Sequence, residues 1–144
     1  MNSLLHFKTK LINDLSEFPS VVFVGGTSEY LQGFRSELND IDISTKSPEL
    51  LWKFGYVFRG QNKSLYGLSG QRAFIKNQGI LIDIFVDDNV PDFINVGKFK
   101  CQTVESMLKL SEDTKIYNKD LLSPPNYERL LKRIERLKSY KKPL

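Results

Sequence analysis

The chain has 144 residues, 40% of them apolar and 26% charged, with a formal net charge of +4; this is enough for one domain with its own core and too ordinary for a disordered or fibrous protein. One cysteine, Cys101, and one histidine, His6, exclude a disulfide framework, a cysteine–histidine zinc site and any nucleophile–histidine pair that does not use His6. Carboxylates and cations are what remain for chemistry. The longest apolar run is far short of the roughly 20 residues of a membrane helix, and Met1 to Leu15 lacks the apolar block of a signal peptide. The expectation is a cytoplasmic protein without membrane contact, in which Cys101 is a small buried apolar side chain.

Leu4, Leu5, Leu11, Ile12 and Leu15 keep helical spacing up to Phe18-Pro19, which predicts a covering helix over Ser3 to Leu15. Val21 to Val24 then reads as a buried strand that breaks at Gly25-Gly26. A short helical pattern through Tyr30, Leu31 and Phe34 leads to a second strand that carries Asp40 and Asp42. Strand side chains alternate faces, so both acids point one way and Ile41 and Ile43 point into the core. Two carboxylates on one face make half of a magnesium site. The glycine pair lets a phosphate approach the main chain, and Thr27 and Ser28 offer hydroxyls; the plainer alternative is a tight turn with a helix cap.

Ser47-Pro48 opens a second helical segment that Gly55 ends, with Leu50, Leu51, Trp52 and Phe54 as its apolar content. Tyr56 to Phe58 reads as strand. Arg59 to Gly70 is polar and spotted with aromatics; Arg59, Lys63 and Tyr66 either line a cleft or decorate a loop. Arg72 to Lys76, a turn at Asn77 to Gly79 and Ile80 to Val86 form a hairpin pattern. Asp83 interrupts its apolar return arm, and a carboxylate there must face a metal, a cation or water. Asp87 shares its face but lies about 13 Å further along the strand, too far for the same metal pair.

Lys98 to Val104 reads as a last strand, and Thr103 as the cap of a helix over Val104 to Leu110. Pro124-Pro125 starts a final helix in which Tyr127, Leu130, Leu131, Ile134, Leu137 and Tyr140 form the packing face. Arg129, Lys132, Arg133, Arg136 and Lys138 lie outside it, followed by Lys141 and Lys142. Residues 1–97 carry 9 Lys and Arg against 11 Asp and Glu, and residues 98–144 carry 12 against 6. The basic end suits a polyanion such as RNA or tRNA, or equally a solvated face. The element order predicts a single α+β domain, a mixed sheet with helices on one side, with its core over about 20–104 and a helical segment over 104–144.

Val24-Gly25-Gly26, thirteen further residues, Asp40-Ile41-Asp42-Ile43 and then Asp83 on a later strand resemble the nucleotidyltransferase fold of the DNA polymerase β superfamily. Residues 20–86 carry the likeness, and Gly33-Phe34-Arg35-Ser36 looks most like small nucleotidyltransferases of abortive-infection and toxin–antitoxin systems. Antibiotic nucleotidyltransferases share a similar order. The resemblance implies transfer of a nucleoside monophosphate from a nucleoside triphosphate, ATP among them, to a hydroxyl acceptor by two Mg²⁺ ions. Asp40, Asp42 and Asp83 would hold the metals, and Gly25, Gly26, Thr27 and Ser28 the triphosphate. Arg35 would neutralise triphosphate charge or else pair with Glu29 or Glu37. Lys109, or Lys119, would reach the triphosphate or else remain a surface lysine. Two other functions stay open: a binding module that keeps the fold and acts on a protein partner, and a transferase for a small-molecule acceptor.

Overall fold

The computed structural model describes residues 3–60 and 71–140; Lys63, Tyr66, Lys141 and Lys142 lie outside them. They form one α+β domain built on a mixed sheet of seven strands. The strands are β1 (Val22–Phe23), β2 (Ile41–Thr45), β3 (Phe58–Arg59), β4 (Gln71–Asn77), β5 (Ile80–Val86), β6 (Phe93–Val96) and β7 (Phe99–Gln102), in the order β3-β4-β5-β2-β1-β7-β6. Pairs β2/β5 and β1/β7 are parallel and the rest antiparallel. Helices are α1 (Ser3–Leu15), α2 (Gly25–Leu31), α3 (Val104–Tyr117) and α4 (Pro124–Tyr140), with 3-10 turns at Pro48–Phe54 and Lys119–Leu121. None of the described helices is long and apolar enough to cross a membrane.

Alternation in the strands explains the two faces. Ile41, Ile43, Ile82, Ile84 and Ile75 point to one side, where they are fully buried against Leu11, Ile12 and Leu15 of α1 and Leu51 and Phe54 of the first 3-10 turn. Each such side chain contributes roughly 1.5–3 kcal/mol of burial. The opposite face carries Asp42, Ser44, Asp83 and Phe85, and α3 and α4 roof part of it. Helices therefore lie on both faces, not one. The expectation of a single side fails because the acid-bearing face is half apolar and needs its own cover.

Hairpin β4/β5 turns at Gln78 (φ 51) and Gly79 (φ 82), the left-handed pair that a two-residue turn of type I′ requires. That turn sets the register Asn77↔Ile80, and with it Phe74↔Asp83 and Arg72↔Phe85. Thr103 caps α3 by accepting from the Ser106 amide at 3.0 Å, as its sequence position predicts, although the helix runs on to Tyr117. The hairpin arm β6 is absent from the sequence reading, because its run of four residues is short, although its pairing with β7 is local, through a two-residue turn at Gly97 and Lys98.

Candidate functional site

Parallel pairing of β2 with β5 sets Asp42 directly opposite Asp83. Both are drawn to one face because their flanking isoleucines occupy the other. Asp40 lies one residue before β2 and is exposed. Burial, joined by the charges of Asp83 and Asp40, pushes the Asp42 carboxyl from 3.8 up to about 7, and the opposing charges of Arg133 and Arg72 reduce the rise. Asp83 is ion-paired with Arg72, whose Nε donates to its Oδ1 at 3.2 Å and whose Nη2 donates to Oδ2. The same guanidinium stands over the Phe85 ring.

The three predicted acids are thus neighbours, yet their side chains do not converge. Among the described residues no three His, Cys, Asp or Glu side chains are grouped to hold a metal ion, and Asp83 is engaged by Arg72. The donor chemistry itself, carboxylates with no sulfur or imidazole, fits a hard divalent cation. The raised Asp42 fits too, because its burial and two like-charged neighbours outweigh the nearby Arg133 and Arg72, and an added cation would restore the balance.

The glycine turn sits beside these acids. Gly25 has φ 54, and a Cβ there would lie 3.5 Å from Asp42 Oδ2 and 3.8 Å from Arg133 Nη2. A Cβ on Gly26 would lie 2.7 Å from Arg35 Nη1. Two guanidiniums therefore flank the turn, Arg35 from the segment after α2 and Arg133 from α4. Arg35 also approaches Glu29 at 3.8 Å, the ion pair that the sequence offers as its alternative role. Gly26→Ala is expected to displace the flexible end of Arg35 at a cost below about 1 kcal/mol. It should nonetheless weaken binding of inorganic tripolyphosphate severalfold, measured by calorimetry beside a urea melt; an unchanged affinity would take Arg35 out of the site.

Thr27 and Ser28 do not present hydroxyls to a phosphate. Both are fully buried. Thr27 Oγ1 accepts from the Asp42 amide at 2.8 Å and donates to the Asp40 carbonyl at 3.3 Å, while Ser28 Oγ donates to the Gln102 carbonyl at 2.7 Å. An inward-facing hydroxyl needs such partners, and these bonds fix the turn against β2 and β7. Lys109 is likewise removed from the site: its side chain is 76% exposed and pairs with Asp113 four residues on. Met107, Leu110 and Ser111 are the α3 residues that line the cavity under the turn. Lys119 lies over the Tyr127 ring.

Of the five basic residues assigned to the outer face of α4, two turn inward. Arg133 lines the cavity with Asp42, and Arg136 donates to both oxygens of Glu29, at 2.8 and 3.3 Å. Glu29 is 1% exposed and also accepts from Tyr140 Oη at 3.0 Å. Arg129, Lys132 and Lys138 stay exposed. Cys101 is fully buried and burial pushes its thiol up to about 11, which leaves no thiolate for catalysis.

No protein-family model matches the sequence, and no curated protein matches it. What characterises the site is therefore its own geometry, including residues that sequence reasoning missed. Gln102 accepts from the Gly25 amide at 3.2 Å through Oε1 and donates to Ser106 Oγ at 3.0 Å, a bridge for which no local pattern exists. Ser44 donates to buried Asp87 at 2.7 Å. Arg72 was within reach of prediction: the two-residue turn sets the hairpin register, and a diagonal neighbour of Asp83 on the same face follows from it.

Proposed function

We propose that the chain is a minimal Mg²⁺-dependent nucleotidyltransferase of the DNA polymerase β-like fold, which transfers a nucleoside monophosphate from a nucleoside triphosphate to a hydroxyl of RNA or tRNA. One observation carries the reading: Asp42 and Asp83 stand opposite each other on adjacent parallel strands, beside a glycine turn flanked by Arg35 and Arg133. Asp40 and Asp42 would hold Mg²⁺, which when bound neutralises charge on the phosphoryl oxygens. Arg35 and Arg133 bind and orient the triphosphate by charge. Asp83 borders an open groove with Arg72, Phe74 and Lys76, and that groove would receive the acceptor. The acceptor oxygen bonds to the α-phosphorus, its proton passes to Asp83, and the bond to the leaving pyrophosphate breaks. Arg72 orients Asp83 through its two hydrogen bonds before the acceptor arrives.

Incubation with α-labelled nucleoside triphosphates, Mg²⁺ and total RNA, protein or small hydroxyl compounds tests this. Label should appear in RNA, and absence of transfer to every acceptor class would overturn the reading. The engagement of Asp83 by Arg72 favours a second reading, a non-catalytic module on a protein partner. Under it, an Asp40→Asn, Asp42→Asn double variant keeps its partner in a pull-down and its full biological effect; loss of that effect with the fold intact rejects it.

For RNA docking, Arg133 lines the cavity and Arg136, though exposed, is committed to Glu29, which leaves Arg129, Lys132 and Lys138 on α4. Contacts from Arg129, Lys132 and Lys138 to single-stranded RNA should give a slope of about −2 in log affinity against log salt. A triple alanine variant should flatten it, in titrations at several salt concentrations. Equal slopes for the two proteins would remove α4 from the interface.

A further inference from the structure

Behind the glycine turn, the acid-bearing sheet face and the two C-terminal helices enclose a cavity of about 160 Å³. Phe85 of β5, Pro91, and Met107 and Leu110 of α3 form its apolar walls. Two of its polar residues, Asp87 and Ser111, are each only 2% exposed. Gly25, Asp42 and Arg133 border the same space, so whatever fills it touches the candidate phosphate site directly.

We propose that this cavity holds the base of the bound nucleotide, with its phosphates outside at the Gly25-Gly26 turn; the inference rests on the reading of the site as one for a nucleoside triphosphate. Size is the first ground. A single water needs about 10–15 Å³ of such space, so the cavity takes on the order of ten non-hydrogen atoms, a purine or pyrimidine ring system and not a whole nucleotide. Chemistry is the second. A nucleobase has apolar faces and a hydrogen-bonding rim, and this lining pairs apolar walls with a buried carboxylate and hydroxyl. A purely apolar ligand would leave the Ser111 hydroxyl facing hydrocarbon, at a cost of about 1–3 kcal/mol for an unsatisfied group. A sugar or free phosphate would instead waste the contact with Phe85, Met107 and Leu110. Asp87 already accepts from Ser44 Oγ at 2.7 Å, and a carboxylate has about four acceptor positions, so it accepts from base N–H groups as well. Guanine, adenine and cytosine, which carry exocyclic amino groups, are favoured over uracil.

The four nucleoside triphosphates and inorganic tripolyphosphate, titrated calorimetrically with Mg²⁺ and no acceptor, separate the base from the phosphates. At least one amino-bearing nucleotide should bind about tenfold tighter than tripolyphosphate, a difference of roughly 1.4 kcal/mol. Ser111→Phe fills the cavity and should abolish that preference while tripolyphosphate affinity stays as in the wild type. Leu110→Trp, on the half-buried wall, decides the matter if Ser111→Phe does not fold. Equal wild-type affinity for nucleotides and tripolyphosphate overturns the base pocket and leaves the phosphate site standing, as does a folded variant with the full preference. Binding of neither ligand overturns the nucleotide reading and the pocket together.

Discussion

Under the proposed function, Asp42→Asn is expected to lower nucleotidyl transfer by about 10³-fold or more through loss of a carboxylate that would hold Mg²⁺, and independently of that function to make the protein more stable above pH 7. The second effect follows from the burial of Asp42 beside Asp83 and Asp40, which raises its carboxyl from 3.8 to about 7. A group that binds its proton more tightly in the folded than in the unfolded chain contributes full stability below its unfolded value. That contribution is lost as pH rises from about 4 through 7. Each pH unit across the window is worth at most 1.36 kcal/mol, so the cost of the ionised acid at pH 8 is on the order of 2–4 kcal/mol after relaxation. Asparagine has nothing to ionise and avoids it. Urea melts at pH 5 and pH 8 in chelator should show the wild type weakening between the two and the variant much less. Mg²⁺ should restore the wild type at pH 8 and leave the variant unmoved. Parallel pH profiles for the two proteins would show that Asp42 does not carry this unbalanced charge.

Glu29→Ala should cost about 3 kcal/mol, the lower end of what breaking a buried ion pair costs, because Arg136 is 42% exposed and water screens its side of the pair. Burial alone would raise the Glu29 carboxyl, but hydrogen bonds and charge from Arg136, with the Tyr140 hydroxyl and Arg133, more than offset it and hold the carboxyl below 4.5. Its stabilisation is therefore present above that value and lost as pH falls below it. The cluster joins α2 to the end of α4, where Phe34 also stacks on Tyr140 at 4.4 Å. A double-mutant cycle with Arg136→Met, read by urea melts, should give a coupling above about 1 kcal/mol. Additive effects would mean that Glu29 acts through burial alone.

Residues 21–43 could be read from local order. Period-two alternation gives the face of Asp42 within β2, whereas Asp40 lies one residue before the strand and outside that alternation. An acid in the run Ile80 to Val86 marks Asp83 as special, and Gly79 announces the hairpin. The Thr103 cap and the apolar stripe of α4 are equally local, since each depends only on residues within a turn or two.

Tertiary structure decided what those residues touch. Alternation gives the face of Asp83 but not its partner; that depends on the register of β2 against β5, where a one-residue slip would have turned every side chain over. Hydroxyls at Thr27 and Ser28 are compatible with either a phosphate or a buried carbonyl, and only the packing of α2 on β2 and β7 made them structural. On α4, Arg129, Arg133 and Arg136 are alike in sequence. Arg133 and Arg136 sit at the edge of the packed stripe, where a long cationic side chain reaches buried carboxylates while its stem covers apolar surface, and no local pattern states that Asp42 and Glu29 lie beneath.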